Sequence, residues 1–328
     1  MRHVFFILVV FFVGWWVGGR EPAPVSAAGG PPDFTQVVQR VDPGIVRVTV
    51  RSSTASQKRS RDDGVGAGFV VDAGGLILTS RHVVSGAQRV VVTVPGHGVV
   101  DATVVGQDPA TDTALLRVNL RGLTVVPTGN PRSLRVGQWV LACGSPYNMP
   151  NSWSVGIVSG LGRSNVGVGP RSIADFIQTD AAANLGNSGG PLLDGDGRVV
   201  GVMTAILSRT GGHQGVGLAV PIDVAMQAVA RMRGGTAASR RPSLGVRVRA
   251  LSSAADIPAG LLVTGFDPGA SAQASGVQVR DVLLRADGVL LQRAADLQRA
   301  VWARKVGDIL RLVVQRGGKR FEVRVPLR

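Results

Sequence analysis

From about Phe34 to Arg231 the chain is a series of short, valine-dominated runs: GIVRVTV, GAGFVVD, GLILTS, RVVVTV, DATVVGQD, TALLRV and QWVLACG. Gly, Pro, Asp or Asn punctuates each run, which is the pattern of short β-strands joined by tight turns. A chain so patterned must pair its strands into a β-barrel or sandwich. The composition agrees: 45 glycines, 5% aromatic residues, 45% hydrophobic and only 17% charged exclude a disordered chain.

The pattern changes near the end of this body. In PIDVAMQAVARMR (221–233), Val224, Ala225, Ala228, Val229 and Met232 recur at helical spacing. An early Asp and late arginines suit the helix dipole. GGTAASRRP (234–242) has no periodicity and reads as a linker. From Ser243 to Arg328 a smaller unit follows, with strand-like LGVRVRA and GLLVTGF and a helix candidate, AADLQRAVWA, carrying Leu297, Ala300 and Val301 on one face. Its last two strands meet at Gly317-Gly318, a hairpin signal. The length of 328 residues allows two or more cores, and no internal repeat is visible.

The amino terminus, residues 1–20, opens with Arg2 and runs apolar from Val4 to Val17, with Arg20 after it. It reads either as an export signal, with VSA at 25–27 as a cleavage site, or as an uncleaved membrane anchor carrying an interfacial Trp15-Trp16 pair. Both fates export the body, to the periplasm or cell envelope. Residues 21–33 read as a Pro/Gly-rich linker. The net charge of +15 favours anionic surfaces, but no zinc-finger spacing, aromatic RNA signature or long basic helix accompanies it, so nucleic acid is not the expected partner. One cysteine, Cys143, precludes an internal disulfide, and its apolar run reads as a buried thiol. The four histidines show no close metal-ligand spacing.

Chemistry concentrates around NLGNSGGPLLDGDGRVVGV, residues 184–202. Ser188 stands between Asn187 and two glycines, on a tight turn before a strand or as a presented nucleophile. A serine hydroxyl needs a base to take its proton, and the base needs an orienting acid. The exported body offers His82, His97 and His213. His82 ends an apolar strand, whereas the other two lie in glycine-rich loops. For the acid, Asp108 precedes Pro109 and suits a turn, and Asp112 stands directly before TALLRV. The order His82, Asp112, Ser188 is the chymotrypsin-type order.

TSRHVV around His82, DPATDTALLRV around Asp112 and TDAAANLGNSGGPLLDGDGRVVGV around Ser188 resemble the three signature segments of the HtrA/Deg serine proteases. GSPYN, VGIVSGLGRS and GLAVPID resemble others, and the likeness runs from about residue 34 to the end. Ser80, Arg81 and Thr113 depart mildly from the family pattern without removing a catalytic group. The resemblance implies a mainly β chain: a chymotrypsin-like double β-barrel protease domain over 34–233, a linker, and a small α+β PDZ domain over 243–328. It implies that Ser188 attacks the scissile carbonyl, His82 shuttles the proton and Asp112 holds His82. The amides of Gly186 and Ser188 would form the oxyanion hole, the glycines leaving room for the substrate carbonyl. Ile206 and Leu207 would line a shallow apolar pocket, and Arg163 would lie in the loop that senses activating ligands. Bare amides of Leu244, Gly245 and Val246 would hold a peptide's terminal carboxylate. The resemblance further implies unfolded or exposed polypeptide substrates, a homotrimer, and no metal or cofactor. The rival readings are a non-hydrolytic chaperone or pseudoprotease, and a regulatory protease with one membrane substrate.

Overall fold

The structure, a computed structural model, describes residues 32–51, 64–145, 151–163, 175–184, 186–206, 214–234, 242–251 and 259–328. The amino-terminal run, Leu207, His213 and most of the 234–242 segment lie outside these residues, as does the side chain of Ile206.

A short helix α1 (Thr35–Val41) and a 3-10 turn (Asp42–Gly44) lead into the first of two closed barrels. Its strands are β1 (Ile45–Arg51), β2 (Gly64–Asp72), β3 (Leu76–Ser80), β4 (Arg89–Val94), β5 (Gly98–Asp108) and β6 (Thr113–Val118), with a one-turn helix α2 (Arg81–Val84) after β3. They close in the order β1-β2-β3-β6-β5-β4. The second barrel holds β7 (Trp139–Gly144), β8 (Ser152–Arg163), β9 (Phe176–Thr179), β10 (Pro191–Asp194), β11 (Val199–Ile206) and β12 (Gly217–Pro221), in the order β10-β11-β12-β9-β8-β7. Numbered from its own first strand, the second barrel repeats the wiring of the first.

The near-continuous apolar runs have a geometric cause. Successive strand side chains point to opposite faces. In β2, Val70 enters the first barrel's interior while Phe69 faces a second core. In β3, Ile77 points inward and Leu76 and Leu78 outward; in β6, Ala114 and Leu116 point inward and Leu115 outward. The other barrel does the same: Val140 and Ala142 of β7 fill its interior, and Leu141 and Cys143 face the shared core. This seam between the barrels is capped by α3 (Ile222–Arg233), whose Val224, Ala225, Ala228, Val229 and Met232 are all buried, at the spacing the sequence displays. Burying both faces of these strands removes water from each apolar side chain, worth about 1.5–3 kcal/mol apiece. Cys143 is fully buried, and desolvation with the nearby Asp42 pushes its thiol well above the usual range, so it is inert.

The carboxy-terminal unit is an antiparallel sheet, β13 (Val246–Leu251), β14 (Gly260–Phe266), β15 (Val282–Ala286), β17 (Ile309–Arg316) and β18 (Lys319–Pro326), in the order β13-β14-β15-β17-β18, with β16 (Val289–Leu290) beside β15. Helices α4 (Ser271–Ala274) and α5 (Ala294–Trp302) complete it. Gly317 and Gly318, at φ +53° and +82°, make the β17–β18 hairpin turn, where both central residues need positive φ. Asp281 is buried and held bidentately by Arg316, at 2.7 and 2.8 Å.

Helix α5 ties this unit to the barrels by charge. Arg299, buried although it lies within an amphipathic helix, forms ion pairs with Asp175, just before β9, and with Asp223 of α3 at 3.1 Å. Arg293 approaches Asp175 at 3.8 Å. Burial outweighs the pull of Arg299 and Arg293 and pushes the Asp175 carboxyl up to about 6, with Asp223 and Asp296 adding repulsion. The folded chain thus holds a proton there more tightly than the unfolded one. That contribution is fully present below about pH 3.8 and is lost as pH rises through about 6. The stability of the wild type relative to Asp175→Asn should therefore rise by about 1–3 kcal/mol from pH 7 to pH 4, measured by urea unfolding at each pH. A flat or falling difference would contradict the assignment.

Candidate functional site

The ladder between β3 and β6 builds the first half of the site. It runs in register from Leu76 opposite Arg117 to Ser80 opposite Thr113. His82, two residues beyond β3, and Asp112, one residue before β6, therefore emerge at the same end of adjacent strands. Backbone bonds lock the junction: the Arg81 N–H donates to the Asp112 carbonyl at 2.8 Å. Asp112 adopts φ +51°, a left-handed conformation that Asp tolerates better than most side chains.

This conformation turns the carboxylate back onto His82. Asp112 Oδ1 accepts the His82 backbone N–H at 2.9 Å, and Oδ2 lies 2.6 Å from His82 Nδ1. The Thr204 hydroxyl, from β11 of the other barrel, donates to the same Oδ2 at 2.5 Å. Asp112 and Thr204 are buried, while the His82 side chain is 45% exposed. An imidazole whose Nδ1 faces a fixed carboxylate keeps Nε2 for an outside proton.

The second half comes from the turn before β10. Gly186 and Gly189, at φ +101° and +84°, bend the chain around Ser188. Three backbone bonds fix the turn to both barrels: Ala67 N–H to the Ser188 carbonyl (2.8 Å), Gly189 N–H to the Met203 carbonyl (2.7 Å) and Met203 N–H to the Gly190 carbonyl (2.9 Å). His82, Gly186 and Ser188 then line one cleft of about 270 Å³. Among the described residues, the N–H groups of Gly186 and Ser188 donate to no protein acceptor.

The structure changes the expected reason for two of the glycines. A Cβ on Gly189 would lie 2.3 Å from both the Ala67 carbonyl oxygen and Thr79 Oγ1, and one on Gly190 would lie 2.1 Å from the Cys143 carbonyl oxygen. Protein, not substrate, fills the space beside them: the barrels close directly on the turn.

The remaining candidates fall elsewhere. His97 sits in the β4–β5 turn, its N–H bonded to the Val94 carbonyl. Asp108 accepts from the Ala110 N–H at 3.0 Å and from Arg231 of α3 at 2.8 Å, a turn acid joining barrel and helix. Arg163 ends β8, exposed, with Nε donating to Gln178 Oε1 at 2.8 Å. In the carboxy-terminal unit Leu244 is buried and Gly245 has φ +69°, where a Cβ would meet Ala270 Cβ at 2.8 Å. The Gly245 amide is not bare as expected: it donates to Ser243 Oγ at 3.0 Å. Val246 begins β13, an edge strand able to accept another. Thr204 is a site residue that the sequence marks with no more than a lone hydroxyl in the apolar GVMTAI run.

Gly190→Ala should destabilise the barrels by about 3 kcal/mol or more, since the added methyl meets backbone rather than a movable side chain. Urea unfolding checks this; an unchanged midpoint would contradict the packing argument.

Residues 66–202 match a trypsin-like peptidase domain, and residues 242–327 match a PDZ domain. The chain is 36% identical over 321 residues to a probable periplasmic serine endoprotease DegP-like of Pseudomonas fulva, covering 93% of this chain and 65% of that protein. It is 35% identical to the DegP-like protein of Pseudomonas fluorescens over 333 residues, covering 89% of this chain and 69% of that one. The chain thus spans about two thirds of the length of these relatives, by those 65% and 69% shares. Among solved structures it resembles the HtrA-type protease AlgW with tripeptide, at TM-score 0.72 and 31% identity, over 90% of this chain and 97% of that one. With its two barrels and its PDZ unit, the chain belongs to the HtrA/Deg family of serine proteases.

Proposed function

We propose that this chain is a serine endopeptidase that hydrolyses peptide bonds of unfolded or exposed polypeptides in the periplasm. The observation that carries the reading is the hold of Asp112 on His82 beside Ser188 in one open cleft. As Ser188 Oγ attacks the scissile carbonyl, His82 Nε2 takes its proton. The imidazolium that forms is stabilised by Asp112, which the Thr204 hydroxyl holds in place. The unengaged N–H groups of Gly186 and Ser188 suit the oxyanion, a role in which one donor is worth about 3–4 kcal/mol. His82 then gives its proton to the leaving amine, and water repeats the cycle on the acyl-enzyme. The chain's own groups supply base, orienter and oxyanion donors for every step.

Ile206 and Leu207 are proposed to border the pocket for the residue before the cut, and Arg163 to belong to a regulatory loop. The proposed domain limits are 34–233 for the protease and 243–328 for the PDZ unit, with linkers at 21–33 and 234–242. Peptide carboxyl termini are proposed to add along β13, their carboxylate near Leu244, Gly245 and Val246, with at most two of those amides available. A trimer built on the protease domain and an inner-membrane anchor at residues 1–20 belong to the same proposal. The non-hydrolytic reading finds no support in the site, since nucleophile, base and acid are all present.

Ser188→Ala should lower cleavage of unfolded casein by about 10⁴-fold or more, read on gels over time; undiminished cleavage would overturn the assignment. Thr204→Val, nearly isosteric, should lower kcat about 10-fold or more with little change in KM, because it removes a hydrogen bond to a charged group. Thr204→Ser should restore most of the rate. A change confined to KM would refute the positioning role of Thr204.

A further inference from the structure

We infer that the cleft beside His82 is a leaving-side subsite selecting an uncharged aliphatic residue immediately after the scissile bond; this rests on the catalytic reading of His82 and Ser188. The direction follows from the chemistry. Ser188 Oγ bonds to the carbonyl carbon, and the oxyanion turns toward Gly186 and Ser188. The nitrogen that departs is the atom His82 must protonate. The chain following the cut therefore leaves past the imidazole, over α2 and the start of β2.

The cleft lies there. Among the described residues its lining comprises Val50, Gly64, Val65, Val83, Ser85, Gly86 and Ala87, together with His82, Gly186 and Ser188. Four of these side chains, Val50, Val65, Val83 and Ala87, are apolar, and among the described lining residues His82 alone is ionisable. Glycine shapes the floor. A Cβ on Gly66 would lie 2.7 and 2.8 Å from the two methyls of Val83 and 2.8 Å from the Ser188 carbonyl oxygen, so Val83 settles against bare backbone beside the nucleophile. A Cβ on Gly64 would come 2.9 Å from Val50 Cγ2. Ser85 and Gly86, both exposed, give the cleft an open polar rim. An aliphatic side chain entering here exchanges water for methyl groups. A charged one gives up hydration and meets no fixed counter-charge among the described lining residues.

The reverse of amide cleavage reads this subsite without a peptide library. An N-blocked valine p-nitrophenyl ester acylates Ser188 and releases p-nitrophenol. An added amino-acid amide then competes with water for the acyl-enzyme. Its α-amine attacks the ester carbonyl, His82 takes a proton from that amine and delivers it to Ser188 Oγ, the C–Oγ bond breaks and a dipeptide amide forms. With the full chain, valinamide and isoleucinamide should capture the acyl group about 10-fold or more better than lysinamide or the α-amide of aspartic acid. Val65→Asp should move the preference toward lysinamide, read as the capture ratio, which does not depend on the acylation rate. Val83→Ala, which enlarges the cleft, should raise capture of isoleucinamide relative to valinamide. A p-nitrophenol burst followed by equal capture of all amides, or by better capture of the charged ones, overturns the subsite alone. Absence of any burst overturns the catalytic reading beneath it.

Discussion

The whole arrangement depends on the closure of two barrels on one glycine turn. The Ser188 carbonyl is bonded to β2 of the first barrel and the Gly189 amide to β11 of the second. The space around Gly189 and Gly190 is too small for a single methyl group. The seam's core is apolar, built from the outward faces of strands whose inward faces fill each barrel. Close packing of this kind transmits small displacements instead of absorbing them. The proposed base and acid are set against each other by adjacent strands of the first barrel, and this seam sets the proposed nucleophile, Ser188, against that pair.

The same seam explains why Thr204 matters. It belongs to the second barrel yet bonds the carboxylate of the first. The acid that orients His82 is thus gripped from both sides, by its own barrel through the His82 amide and by the other through a hydroxyl. The PDZ unit is joined to the barrels by an apolar contact, Trp302 packing against both cores, and by charge. Arg299 faces Asp175 and Asp223 in a buried ion cluster, whose strength follows protonation in a way that an apolar seam does not.

Much of this was legible in the sequence because it is local. The valine runs, the helical spacing of 222–233 and the paired glycines at 317 and 318 each carry a short-range signal, and each has its element. His82 and Asp112 were readable as strand-end residues because apolar runs adjoin them. What was hidden is non-local. The shared wiring of the barrels is a matter of strand pairing, and no residue repeat records it. Thr204 looks like any β-branched strand residue until the opposite barrel is in place. Arg299 reads as the polar face of an amphipathic helix, and only the neighbouring domain buries it. The glycines after Ser188 suggest room for a ligand, whereas at Gly189 and Gly190 the occupants are Ala67, Thr79 and Cys143. The Gly245 amide likewise looks free until the Ser243 hydroxyl turns back onto it.

The most direct test of the central claim, that His82 activates Ser188 within this closed seam, is the rate at which a serine-directed phosphonate modifies the full chain, with the site located by peptide mass analysis. One adduct is expected, on Ser188, forming at least about 10³-fold more slowly in His82→Ala. Equal modification rates in the two proteins, or an adduct at another serine, would contradict it.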